Sequence, residues 1–114
     1  MKLDVQIEKP DDGVVLVSVT GDVDLYSSPE LRKHILSQTK SKTPVIIVDL
    51  QNVDYMDSSG VATLVEGLQQ VNKYKGKLLI SNLCPGVKEV FELSRLDRVF
   101  DIYDTSELAK EAIG

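Results

Sequence analysis

The 114-residue sequence has a single cysteine, Cys84, and no apolar run near the roughly 20 residues that span a membrane. One cysteine cannot form an intrachain disulfide, which fits a reducing cytoplasm. The first residues alternate charged and apolar side chains, unlike a signal peptide. No low-complexity tract suggests disorder. We therefore expect a cytoplasmic protein without membrane contact, built as one domain over residues 1–114.

Basic residues are also few. Thirteen Lys and Arg against 18 Asp and Glu give a formal net charge of −5. Proteins that bind nucleic acid cluster their basic residues, whereas here they are scattered along the sequence. The charge pattern therefore argues against a nucleic-acid partner.

Enzyme signatures are absent as well. No nucleophile elbow or S-x-x-K pattern surrounds Ser58 or Ser59, and no glycine-rich phosphate loop occurs. His34 is the only histidine, and nothing near Cys84 in sequence would activate its thiol. Two aspartates at i and i+2, Asp22 and Asp24, are a weak metal signal. We expect no catalysis, no metal and no cofactor.

Hydrophobic periodicity predicts five strands and four helices. Alternation marks a half-exposed first strand, whereas later apolar runs mark strands covered on both faces. Helices follow from apolar stripes, a Ser27–Glu30 capping box before the first helix and Thr105 as the cap of the last. The predicted strands are Leu3–Ile7, Val14–Thr20, Val45–Leu50, Lys77–Ser81 and Val99–Tyr103, with a turn over Pro10–Gly13; the helices start near Ser27, Ser58, Pro85 and Thr105, the first ending near Thr39 and the second near Lys75.

These elements follow in the order β-β-α-β-α-β-α-β-α. Alternating strands and helices imply parallel pairing through right-handed crossovers, and the first two strands read as an antiparallel hairpin. The predicted fold class is α/β, with a mixed, mostly parallel sheet and about four helices.

The most informative segment is Asp57–Gly60, between a buried strand and a long amphipathic helix. Its two hydroxyls, on Ser58 and Ser59, lie at a helix start, where unpaired N–H groups and the helix dipole favour an anion such as phosphate. Helix capping by Asp57 or a serine explains the same residues. Position alone leaves both interpretations open.

A receiver domain of two-component signalling is an alternative. Such a domain carries a phosphoacceptor aspartate at the end of a buried strand, as Asp49 does here. It also needs an acidic pair after its first buried strand, whereas Asp11 and Asp12 occupy a turn. Its lysine after a later strand has no counterpart in Ser81–Pro85. These departures disfavour the receiver interpretation.

Three segments together resemble the STAS-domain anti-sigma factor antagonists. They are Gly21–Ser27, Val48–Leu50 and Tyr55–Gly60, and the likeness covers essentially the whole chain. The D-S-[ST]-G core matches without substitution. The family often continues Gly-Leu-Gly, whereas Gly60 is followed here by Val61-Ala62.

The resemblance implies a STAS-like fold and a switch protein that is not an enzyme. The unmodified antagonist would bind a GHKL-type serine kinase that doubles as the anti-sigma factor, thereby freeing the sigma factor. Phosphorylation of the motif's first hydroxyl would release the kinase, and a PP2C-type phosphatase would reverse it. Some relatives serve instead in stress-sensing scaffolds, transporter tails or lipid-transport complexes. A subunit of another signalling or transport complex therefore stays an alternative.

Carried onto this sequence, the resemblance makes Ser58 the phosphoacceptor, with Ser59 as the fallback. Asp22, Asp24, Asp57, Ser59 and Gly60 are the expected partner-binding residues, and the protein is expected to be a monomer. Plain structural roles, as caps or solvated loop residues, remain open for the three aspartates.

Overall fold

The computed structural model describes residues 3–113 and follows the predicted element order. The strands are β1 (Asp4–Asp11), β2 (Val14–Thr20), β3 (Val45–Asn52), β4 (Lys77–Ser81) and β5 (Asp101–Tyr103). The α-helices are α1 (Ser28–Lys40), α2 (Ser58–Lys73), α3 (Pro85–Leu93) and α4 (Ser106–Ile113), with a short 3₁₀ helix at Leu96–Arg98. The predicted fold class is confirmed.

The five strands lie in chain order, β1-β2-β3-β4-β5, with β1 antiparallel to β2 and the other pairs parallel. Each parallel connection advances by one strand in the same direction. Right-handed crossovers therefore place α1, α2 and α3 on one face of the sheet. Only α4 packs on the other face, through Ala109 and Ile113. The carboxyl ends of β2, β3 and β4 share one edge with the starts of α1, α2 and α3.

Strand β3 shows how the two faces are filled. Ile46 and Val48 enter the large core beneath the three helices, whereas Ile47 points to the α4 side. All three side chains are fully buried. The prediction of a strand covered on both faces is confirmed for β3, and β1 alternates between exposed and partly buried residues as expected.

Two predicted boundaries are wrong. The turn after β1 is confined to Asp12 and Gly13, because β1 continues past Pro10 with an irregular register between Glu8 and Asp11. The last strand loses its first two predicted residues to the end of the 3₁₀ helix, where the Phe100 N–H bonds to the Leu96 carbonyl. The Phe100 ring packs edge-on against Phe91, at 5.7 Å between centroids, and so serves the core instead of the sheet.

Helix ends differ in a similar way. Ser27 precedes α1 but makes no side-chain capping bond, so the predicted capping box is wrong. Helix α2 ends at Lys73, two residues early, because Lys75 turns into the left-handed region (φ 63°) and the Gly76 N–H bonds back to the Val71 carbonyl. Thr105 does cap α4, accepting from the Leu108 N–H at 3.1 Å.

Candidate functional site at the carboxyl edge of the sheet

The loops that leave β2 and β3 are joined by backbone hydrogen bonds. The Gly21 N–H donates to the Asn52 carbonyl, and the Val23 N–H donates to the Tyr55 carbonyl at 2.9 Å. The Asp57 N–H returns a bond to the Val23 carbonyl at 3.0 Å. The two acidic segments singled out in the sequence therefore form one continuous rim, because parallel neighbouring strands end at the same edge.

Asp57 is the N-cap of α2. Its Oδ1 accepts from the Ser59 N–H at 2.9 Å and the Gly60 N–H at 3.4 Å, and also from the Ser59 hydroxyl. The Ser59 hydroxyl, followed by these backbone N–H groups, lowers the pKa of the Asp57 carboxyl. The nearby Leu25 N–H adds to the effect. The capping role left open by the sequence belongs to Asp57.

The two motif serines have different surroundings. Ser58 is the first residue of α2 and is exposed, and within the described residues its hydroxyl has no hydrogen-bond partner. Ser59 is half-buried, and its hydroxyl already donates to Asp57. Because the positive end of the α2 dipole lies here, a negative group on Ser58 would be stabilised locally.

The two aspartates of the β2 loop also differ. The Asp24 Oδ1 accepts from the N–H groups of Tyr26 and Ser27, and the Ser27 N–H is the main cause of a lowered pKa of the Asp24 carboxyl. Asp24 thus shapes the loop. Asp22 is exposed and has no side-chain hydrogen bond within the described chain.

Gly60 is buried inside the first turn of α2. A Cβ at this position would lie 2.6 Å from Met56 Cγ and 2.7 Å from Val23 Cγ1, closer than carbon atoms approach. The structure therefore explains the glycine by packing, since it lets the helix start lie directly on the two joined loops.

Three exposed apolar side chains stand among these acidic residues and were not predicted from sequence. Leu25, Tyr26 and Tyr55 are 68%, 90% and 52% exposed. They lie in loops, where hydrophobic periodicity carries no information. Their only sequence signal is an apolar residue next to an aspartate in a loop. Such side chains at a rim are typical of protein contact surfaces.

The rim is acidic without compensation in the neighbouring sequence. We define the acidic rim as the carboxylates on the β2 and β3 loops, Asp22, Asp24, Asp54 and Asp57. No Lys or Arg occurs between residues 14 and 31 or between residues 43 and 72. A partner with a basic surface is therefore favoured electrostatically here.

Other candidates from the sequence lie elsewhere or are engaged. His34 pairs with Glu30 at 3.2 Å on the surface of α1, and the Cys84 thiol donates to the Gln51 carbonyl. Asp49 is half-buried, and burial raises the pKa of its carboxyl. In the described residues no three His, Cys, Asp or Glu side chains are grouped to hold a metal.

The geometry also separates the Asp11–Asp12 turn from Asp49. Asp11 and the neighbouring turn lie at the amino end of β3, since the Gly13 carbonyl accepts from the Val45 N–H. Asp49, by contrast, lies toward the carboxyl end of the same strand. That turn therefore cannot supply an acidic pair beside Asp49. Over residues 3–113, no helix is long and apolar enough to cross a membrane.

Comparison with known proteins gives consistent matches. The STAS domain family model matches residues 5–109. The anti-sigma-B factor antagonist of Bacillus subtilis is 30% identical over 107 residues, covering 94% of this chain and 96% of that protein. A crystal structure of an anti-sigma factor antagonist from Mycobacterium paratuberculosis is 27% identical, with a TM-score of 0.88 over 96% of this chain and 92% of the other.

The fold also matches the anti-sigma factor antagonist SpoIIAA, solved in its unphosphorylated and phosphorylated forms. Both are 21% identical to this chain and cover 96% of it, with TM-scores of 0.76 and 0.75. This chain covers 97% and 99% of those structures.

Proposed function

The chain belongs to the STAS domain family, and from that premise we propose that it is an anti-sigma factor antagonist switched by phosphorylation of Ser58. In its unphosphorylated form it binds an anti-sigma factor that is also a GHKL-type serine kinase, and so releases a sigma factor. The names of the Bacillus subtilis and Mycobacterium paratuberculosis relatives support the antagonist role.

The observation that carries the proposal is the exposed Ser58 hydroxyl, which has no hydrogen-bond partner in the described chain and lies at the start of α2. Ser59, the fallback acceptor, has its hydroxyl committed to Asp57. A kinase must bring the acceptor oxygen to the γ-phosphate of ATP, and a free outward hydroxyl needs no prior bond breaking. Ser58 is therefore the better acceptor.

The charges explain why phosphate would release the partner. A phosphoserine adds roughly −1.5 to −2 charges at neutral pH. The helix start offsets that charge in the free protein. In a complex the same dianion is desolvated, and it also repels any partner carboxylate that lies near it. Release then needs no large rearrangement of this chain.

The kinase would dock on the acidic rim. Asp22 and Asp57 are accessible contact residues, whereas Asp24 acts mainly by holding the loop in shape. Ser59 supports the Asp57 cap. Gly60 acts indirectly, because its lack of a side chain lets the motif lie against Met56.

Three apolar side chains would supply the contact area in the same interface. They are the exposed residues Leu25, Tyr26 and Tyr55. In the remainder of the proposal a PP2C-type phosphatase restores Ser58. The form that binds the kinase is a cytoplasmic monomer with its acidic rim free, and it acts without nucleic acid, membrane or catalysis of its own.

The test is phosphorylation by the GHKL-type kinases of the protein's own organism with ATP, followed by phosphosite mapping. Ser58→Ala should abolish incorporation, whereas Ser59→Ala should retain at least part of it. His34→Ala and Cys84→Ala are controls that should be labelled normally. Full labelling of the Ser58→Ala protein would move the acceptor elsewhere, and no labelling by any of the kinases would remove the switch.

A further inference from the structure

The edge of the sheet opposite the acidic rim is built from three loops in direct contact. The Val45 N–H donates to the Gly13 carbonyl at 3.0 Å, which joins the β1–β2 turn to the loop between α1 and β3. The Lys77 N–H donates to the Pro44 carbonyl at 2.8 Å, and the Tyr74 hydroxyl donates to the Thr43 carbonyl at 2.8 Å. These bonds add the loop between α2 and β4 to one continuous surface.

This surface collects lysines that are scattered in the sequence. All of them are exposed, and none forms an ion pair within residues 3–113. We call this surface the lysine edge, and its members are Lys9, Lys40, Lys42, Lys73, Lys75 and Lys77. Asp11 and Asp12 are the carboxylates of the adjoining turn.

Interaction with helix dipoles explains only some of the lysines of the lysine edge. Lys40 and Lys73 end α1 and α2, where a cation offsets the negative end of the dipole. Lys42 and Lys75 lie beyond those helices in the left-handed region, at φ 54° and 63°. The left-handed region favours glycine or asparagine, so the backbone conformation does not explain why a lysine occupies either position.

We propose that the lysine edge binds the acidic rim of a second copy of this chain, in a head-to-tail contact. The two surfaces carry opposite charges and lie at opposite ends of the same strands. A contact between different patches of identical chains is heterologous, so it leaves a free lysine edge and a free acidic rim at the two ends of each assembly. An extended polyanion such as nucleic acid fits less well, since the whole chain carries a net charge of −5.

Apolar groups must contribute, because a single exposed ion pair stabilises a contact only slightly. The acidic rim presents Tyr26, which is 90% exposed. The lysine edge contains an open cleft of about 740 Å³ between the β1–β2 turn and the end of α1, lined by Lys9, Asp11, Asp12, Gln38 and Pro44 among others. The cleft is large enough for a tyrosine ring, and its lining includes one lysine and the two aspartates of the turn.

The salt dependence of association distinguishes attraction at this contact from repulsion between the net charges of two copies. At about 0.1 M salt the Debye length is about 10 Å. The smallest dimension of the molecule is 23 Å. Two net-negative copies then repel little through their overall charge, whereas groups in contact still attract. At about 1 M, where the Debye length is about 3 Å, the attraction is screened as well.

The test is sedimentation equilibrium of the purified chain, without any kinase, so that it is independent of the proposed function. At about 0.1 M salt the average mass should rise above 12.6 kDa with protein concentration, and it should return to 12.6 kDa at about 1 M salt. A mass of 12.6 kDa at every concentration would overturn the proposal, as would association that survives high salt.

Two complementary variants test the head-to-tail geometry. Asp22→Lys/Asp54→Lys removes the rim, and Lys42→Glu/Lys77→Glu removes the lysine edge. Each alone should stay monomeric, but an equal mixture should associate, because the intact lysine edge of one variant meets the intact acidic rim of the other. Failure of the mixture to pair would overturn the proposal.

A matched control makes the same charge change off both surfaces. Lys33→Glu/Lys110→Glu should associate like the unmodified chain, and a loss as large as that of the lysine-edge variant would leave net charge as the cause and overturn the proposal. Circular dichroism melting checks folding. If a double variant melts early, the single changes Asp54→Lys and Lys77→Glu carry the same mixing experiment.

Discussion

Helices α1 and α2 both begin with a pair of serines at the carboxyl edge of the sheet, but the two pairs are used differently. Before α1, Ser27 is buried and bonds to the Asp24 N–H and the Asp22 carbonyl, and Ser28 is buried as well. At α2 an aspartate takes the N-cap, so both serines move into the first turn and Ser58 points to solvent.

The comparison shows that a serine pair at a helix start does not by itself make a modification site. What differs is the cap. Ser27 occupies the N-cap position of α1, and its hydroxyl bonds back into its own loop instead of staying free. Where the cap is Asp57, the carboxylate satisfies the first N–H groups and one hydroxyl stays free.

The same substitution at the two helix starts should give the largest contrast. Ser58→Asp should weaken kinase binding by about 30-fold or more, since charge burial at interfaces costs about 2–5 kcal/mol, while the melting temperature stays near that of the unmodified chain. Ser28→Asp should instead lower the free energy of unfolding by about 1–3 kcal/mol, because it buries a charge. Binding titrations and urea unfolding measure the two effects.

That prediction fails if Ser58→Asp unfolds the protein as easily as Ser28→Asp does, because the α2 start would then lack the tolerance for negative charge assigned to it. Equal kinase affinity for Ser58→Asp and the unmodified chain would remove Ser58 from the interface.

Two glycines at helix starts, Gly60 and Gly86, differ in how tightly they are packed, and alanine substitutions test that difference. Gly60→Ala should lower the free energy of unfolding by about 1–3 kcal/mol, because its Cβ would overlap Met56 and Val23. Gly86→Ala, in the first turn of α3, meets only the Asp54 carbonyl oxygen at 3.5 Å, an ordinary contact. It should be neutral or stabilising by up to about 1 kcal/mol. Urea unfolding of both proteins measures the difference, and equal effects would contradict the packing role of Gly60.

The two residues that precede these helices should also differ. Asp57→Ala should lower the free energy of unfolding by about 0.5–2 kcal/mol through loss of the cap, and hydrogen exchange should speed up at the Ser59 and Gly60 amides. Ser27→Ala should leave the α1 amides protected and loosen the Asp24 N–H instead, because that is the group its hydroxyl binds. Faster exchange in the first turn of α1 would contradict this assignment.

Sequence predicted the element order, the two-sided burial of β3 and the start of α2, because periodicity and turn chemistry are local. It did not predict the start of the last strand, since Phe100 is fixed by its tertiary contact with Phe91. At the candidate site the residue pattern alone did not separate Ser58 from Ser59, which only the family resemblance ranked, because their difference depends on a rotamer of Ser59 that bonds to Asp57. Nor could it find Tyr26, since exposure in a loop follows no period.

The smallest expected effects come from pH, and they should have opposite signs at two aspartates. The hydrogen bonds at the α2 cap lower the pKa of Asp57, so its ionised form stabilises the fold above the unfolded pKa of about 3.9, and that contribution is lost as pH falls through the folded value. Burial raises the pKa of Asp49, so the stability that its protonated form contributes is present below pH about 3.9 and is lost as pH rises through the folded pKa.

Asp57→Asn should therefore lower the free energy of unfolding at pH 7, and Asp49→Asn should raise it, each by less than about 1 kcal/mol, since both groups are partly solvated. Near pH 3 both differences should shrink as the carboxyls protonate. Urea unfolding at the two pH values measures them, and the same sign for both variants at pH 7 would show that burial does not dominate at Asp49.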